Sequence, residues 1–111
     1  MKTRYVTEMG MGTDVHGRDY TLAAERAVFD AIHHSSLHFF APLGKTADDM
    51  FIDLLIGVPE PDKVDADRVA AALPYGTVSI TVQKGGLEIP ADDGNDAIVI
   101  ANAGIIVRLA D

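Results

Sequence analysis

The clearest pattern in the chain runs from Asp19 to Leu37, DYTLAAERAVFDAIHHSSL. Ala24, Val28, Ala31 and Ile32 recur at helical spacing on one stripe, and Arg26, Asp30 and His34 fall on another. The spacing predicts a first helix whose start Asp19 or Thr21 can cap. Ahead of it, KTRYVTEMGMGT reads as an extended strand that ends among glycines. Met50–Val58, MFIDLLIGV, is nearly all apolar, as in a strand buried on both faces. Asp65–Leu73 predicts a short second helix, with Asp65 as N-cap and Val64 and Val69 spaced as a hydrophobic staple. Pro74 and Gly76 stop it. Thr77–Gln83 alternates, with Val78, Ile80 and Val82 on one face, and Lys84, Gly85 and Gly86 turn the chain. Asp96–Leu109 reads as two short strands joined by a tight turn at Asn102–Gly104.

The order β-α-β-α-β followed by a hairpin predicts an α+β fold, one domain over residues 1–111, with two helices on one face of a mixed sheet. The crossovers call for parallel pairing and the hairpin for antiparallel pairing. No helix is left for the second face of the sheet. Composition sharpens this point. Hydrophobic residues make up 48% of the 111, and ten glycines raise the apolar share above the roughly 45–50% usual for globular domains. A domain this small has too much surface to hide the excess. A homo-oligomer, with sheet packed on sheet across subunits, is therefore expected.

Charge removes several partners. The net charge is −8, from 9 basic and 17 acidic residues, with no basic run. Nucleic acid and anionic membrane surfaces would be repelled. Without cysteine, disulfides, thiolate metal sites and a Cys nucleophile are excluded. The segment MKTRYVTEMG lacks the apolar core of a signal peptide, and no apolar run reaches the roughly 20 residues of a membrane span, so a cytoplasmic location is expected.

Candidate chemistry concentrates in GMGTDVHG, Gly10–Gly17. In an extended chain Glu8, Gly10, Gly12, Asp14 and His16 share one face, and Met9, Met11, Thr13 and Val15 point to the other, core-like side. Glycine in a strand packs nothing and suits close approach of a ligand or another backbone. Gly10, Gly12 and Gly17 are thus candidate ligand-binding positions. Asp14 and His16 could share a divalent metal such as zinc, manganese or iron. Equally, Asp14 could hold His16 in one tautomer as a general base, with Glu8 as a second carboxylate. Both readings require Asp14 and His16 to face one space. The motif lacks the third glycine of a dinucleotide fingerprint, since Val15 stands there. His33 and His34 sit at the helix end, where one of them could reach the motif of a neighbouring subunit, and His38 falls in a loop. Asp53 within an apolar strand needs a hydrogen-bonding partner or a subunit contact. Ser35 and Ser36 have no nucleophile-elbow context.

With Gly10, Gly12, Asp14, His16 and Gly17 in place, the chain resembles a family of small bacterial proteins with plant members, marked by G-x-G-x-D-x-H-G near the N-terminus. The resemblance spans essentially the whole chain and implies no reaction. The element order is similar to the Bacillus-type chorismate mutase fold, shared by ring-opening amidohydrolases that act on cyanuric acid or barbiturate. That likeness implies a trimer or a multiple of it, with sites between units. Neither the Arg-rich site of the mutase nor the Ser–Lys chemistry of the amidohydrolases is evident. GMGTDVH also resembles the start of methylerythritol cyclodiphosphate synthases, where the Asp and His of D-V-H bind a divalent metal. Arg26 stands where their third ligand, a His, would be. Two functions are expected from these residues: an enzyme acting on a small polar metabolite at a subunit interface, or a non-catalytic scaffold holding a metal or metabolite.

Overall fold

The computed structural model describes residues 1–33, 41–73 and 75–110. The elements are β1 (Lys2–Asp14), α1 (Tyr20–His33), β2 (Phe51–Val58), α2 (Ala66–Ala70), β3 (Thr77–Lys84), β4 (Leu87–Pro90) and β5 (Ala97–Ala110). The strands form one mixed sheet in the order β1-β5-β2-β3, with β4 also paired to β5. β2 and β3 are parallel, and β5 is antiparallel to β1, β2 and β4. Both helices lie on the same side of the sheet. The expected α+β class, mixed sheet and two helices are all present.

The helices form where the pattern places them. Asp19 caps α1 by accepting from the Leu22 N–H at 3.0 Å, and Asp65 caps α2 by accepting from the Arg68 N–H at 3.1 Å. The Thr21 hydroxyl accepts from the Asp65 N–H at 2.9 Å, which joins the starts of the two helices. Val64 and Val69 both join the core, as a staple requires. The predicted extension of α1 over 34–37 lies outside the described residues.

Two elements differ from the sequence reading. No turn forms at Asn102–Gly104, where β5 continues unbroken for 14 residues. Asn102 pairs with Met11 on one side and Gly57 on the other, and Gly104 with Met9 and Leu55. Ladders on both sides override the local turn propensity of Asn-Ala-Gly. The hairpin forms earlier, between β4 and β5, where Ala91 N–H bonds the Asp96 carbonyl at 2.8 Å.

The buried face carries Ile52, Leu54, Ile56 and Val58 from β2 and alternate residues of β5 from Ala97 to Leu109. Against it α1 presents Ala23, Ala24, Ala27, Val28 and Ala31, a face of mostly small residues. Small residues let the helix sit low, and β1 answers with glycine. A Cβ on Gly12 would lie 2.2 Å from the Ala23 carbonyl oxygen, and one on Gly10 would lie 2.3 Å from the Ala31 nitrogen. The close approach expected at these glycines is therefore made by the backbone of α1. Arg26 donates to the Thr13 carbonyl at 2.6 Å and Asp30 accepts from the Met11 N–H at 2.9 Å, so α1 also covers part of the outer edge of β1.

Gly12→Ala should cost at least about 2 kcal/mol, because the obstructing atoms are helix backbone. Gly104→Ala, whose Cβ would meet only Leu55 at 3.9 Å, should stay within about 0.5 kcal/mol of the parent. Urea denaturation followed by circular dichroism measures both. Equal effects would show that the helix seat is not limiting.

Candidate functional site

β1 ends at Asp14, and α1 begins at Tyr20 after five intervening residues. Asp14 is buried, and its Oδ2 accepts from the Asp19 N–H at 2.9 Å. The Arg26 guanidinium lies 3.8 Å from Asp14 Oδ1. The cation beside this carboxylate is thus an arginine of α1. The turn between them needs positive φ at Gly17 (91°) and Arg18 (51°), and it swings His16 away from Asp14.

His16 instead meets Asp96, at the start of β5. His16 Nδ1 lies 3.0 Å from Asp96 Oδ2. Asp96 Oδ1 accepts from the Gly17 N–H at 2.9 Å and from the Ala97 N–H at 2.8 Å. The Gly17 amide, then the His16 ring and the Ala97 amide, pull the Asp96 carboxyl down to about 2. An ionised carboxylate can only accept, so Nδ1 carries the proton of this bond. In the neutral ring Nε2 is then the basic nitrogen. The His16 side chain is 85% exposed, with Nδ1 engaged by Asp96.

Beneath the turn lies a second network. The Tyr20 hydroxyl donates to Glu88 Oε1 at 2.5 Å, and Arg18 Nε donates to Glu88 Oε2 at 3.2 Å. Arg18 Nη2 also donates to the carbonyls of Gly94 and Asp96, each at 3.3 Å. Burial, then the bond to Glu88, pushes the Tyr20 hydroxyl up to about 12. The same bond holds the Glu88 carboxyl below its ordinary range. The network clamps the β4–β5 hairpin against the start of α1 and so fixes Asp96 beneath His16.

A cleft of about 290 Å³ opens beside the pair. Its walls are Val15, Ile89, Pro90, Ala97 and Ile98, with His16 and Asp96 as the polar groups. The chemistry available is one oriented imidazole at the mouth of a mostly apolar cleft. Asp96, Arg18, Tyr20 and Glu88 were not among the residues singled out from sequence. Asp96 sits in ADDGND, an acidic turn whose residues all look solvated.

The other candidates have different surroundings. Glu8 does share the helix-covered face with Gly10, Gly12 and Asp14. It lies beside Ala31, Ile32 and Leu73, about 20 Å along β1 from Asp14. The Met9 and Met11 side, expected to be core-like, is the exposed face. Gly17 contributes its N–H to Asp96. Asp14 and His16 do not face one space, so the shared-metal and Asp14–His16 dyad arrangements do not form. Among the described residues no group of three or more His, Asp or Glu could hold a metal ion. His33 bonds the Phe29 carbonyl at 2.8 Å and packs on its ring. His34 and His38 lie outside the described residues. Asp53 has the partner it needs, an ion pair with Arg108. Among the described residues no helix is long and apolar enough to cross a membrane.

Residues 4–107 match the model of a family described as conserved hypothetical protein, Lin0512_fam. No curated protein matches the chain significantly. A solved structure from Nostoc punctiforme PCC 73102, described as an FtsZ-like protein of unknown function, is 36% identical with a TM-score of 0.89. The match covers 99% of this chain and 98% of that one.

The depressed Asp96 carboxyl gives a pH signature. A group lowered on folding stabilises the protein above its unfolded value, and the gain is lost as pH falls through the folded value. Urea midpoints of the parent should therefore drop between about pH 4 and pH 2, the span from the ordinary carboxylate value to that of Asp96. In Asp96→Asn this part of the drop should vanish, with lower stability at neutral pH. Parallel acid limbs in the two proteins would contradict the hydrogen bonds assigned to Asp96.

Proposed function

The chain belongs to the Lin0512 family of conserved hypothetical proteins, and we propose that it transfers a proton to or from a small metabolite bound beside His16. One observation carries this reading: Asp96, held by two backbone amides, fixes the His16 ring through Nδ1 at the mouth of a cleft. An imidazole oriented by a carboxylate, with its second nitrogen basic, is the arrangement of a general base. His16 keeps the role expected of it, and Asp96 takes the orienting role expected of Asp14. The apolar walls favour a compact ring that presents one acidic N–H or C–H to Nε2. No metal enters this mechanism, because Asp14 is committed to Asp19 and Arg26.

A second reading has its own support. Gly10, Gly12, Asp14 and Gly17 all serve to join α1 and the β4–β5 hairpin to β1. Four of the five residues of the motif thus build the fold, as in a non-catalytic scaffold that uses His16 as a fifth tie.

Nitrogen-detected NMR of the His16 ring and titration with succinimide and barbituric acid separate the two. The proton-transfer reading expects Nδ1–H in the neutral ring, shift changes at His16 and Ala97 on adding a cyclic imide, and their loss in His16→Ala. Asp96→Asn should retain folding and weaken the response at least about tenfold, by analogy with the loss of other oriented bases. A His16 ring indifferent to both probes, with unchanged ring protonation in Asp96→Asn, would favour the scaffold.

A further inference from the structure

We propose that the open face of the sheet is a self-association surface, on which a second copy of this chain packs face to face about a two-fold axis. The inference stands on the face itself and does not depend on the role of His16.

Strand alternation sends Met9 and Met11 of β1, Leu87 and Ile89 of β4, and Ile98 of β5 to the side away from the helices. Met9 is 70% exposed, and the others range from 42% to 54%. Phe51, Leu55 and Ile106 continue the stripe along β2 and β5. These side chains form an apolar stripe over β4, β5, β1 and part of β2, bordered on β3 by Thr77, Ser79, Thr81 and Gln83, and a stripe of exposed large apolar side chains on one sheet face marks an association surface. Its size is sufficient. At about 3.3 Å per residue and about 4.8 Å between strands, β5 and its neighbours span roughly 45 by 15 Å, a footprint close to the roughly 800 Å² per partner of a standard interface.

Charge indicates what covers it. The chain has net charge −8, so two copies repel one another across most of their surfaces. Among the strand positions on this face Asp53 is the one acidic residue, and it is paired with Arg108. Arg4 lies across from Arg108 in the β1–β5 ladder. The strand positions of this face thus carry none of the excess negative charge that sets two copies of the chain apart. A face that meets its own copy makes an isologous contact, which closes at two copies.

Light scattering over a dilution series tests the proposal on the unmodified chain. The expected mass is an even multiple of 11.8 kDa. Met9→Lys with Ile89→Lys should halve it or reduce it to 11.8 kDa, with unchanged far-ultraviolet circular dichroism. The absence of cysteine supplies a second readout should the lysine variant fail to fold. Asn102→Cys, on the open face, should react with a maleimide faster on dilution, and Asp67→Cys, on α2, should not change. A parent mass of one copy or an odd number of copies overturns the proposal. So does an Asn102→Cys that reacts independently of concentration.

Discussion

Contact between two backbones, α1 lying directly on β1 at Gly10 and Gly12, sets the geometry of everything near the turn. Without side chains between them, helix and strand approach to a distance that any Cβ would prevent. At that distance short and long side chains alike become connectors. Asp14 reaches the N–H of Asp19, the residue that caps α1, Arg26 reaches back to Thr13, and Asp30 reaches Met11. Each of these bonds would be out of range if the helix rode higher. The turn from Val15 to Arg18 is then short and tightly held, and its left-handed residues direct His16 toward β5.

Much of the fold was legible because local and global preferences agree. The α1 stripe, the Asp65 cap and the alternation of β3 each appear where the pattern put them, and β2 forms over its apolar run but buries one face, Ile52, Leu54, Ile56 and Val58, rather than both, because no helix covers the side of Phe51 and Leu55. β5 was misread because Asn-Ala-Gly carries a strong turn signal, while the two ladders that hold it straight come from strands distant in sequence. β4 was missed because four residues ending in Pro90 give no periodicity to read. The motif was read correctly in one respect. Glu8, Gly10, Gly12 and Asp14 do share a face, and a backbone does come close there. What approaches is the chain's own helix, which alternation alone cannot reveal. Asp96 could not be found from sequence, since its partner lies 80 positions away.

The site and the open face meet at one end of the molecule. Ile89 and Ile98 belong to both, as wall of the cleft and as part of the apolar stripe. Residues that shape the cleft are therefore constrained twice, by what the cleft admits and by what the sheet packs against. The Arg18–Glu88–Tyr20 network holds this corner from the helix side, while the His16–Asp96 pair supplies the polar groups of the cleft.

The edge of β1 has one more consequence. With Met11 N–H and Thr13 carbonyl already bonded to α1, that border of the sheet is a poor template for an incoming strand. β3, at the opposite border, has no such cover from α1. A module that can add strands at both borders grows without limit into a fibril. One with a blocked border and a free one stops after a single addition. The same low-lying helix that shapes the turn therefore also occupies backbone groups at the β1 border that an incoming strand would need.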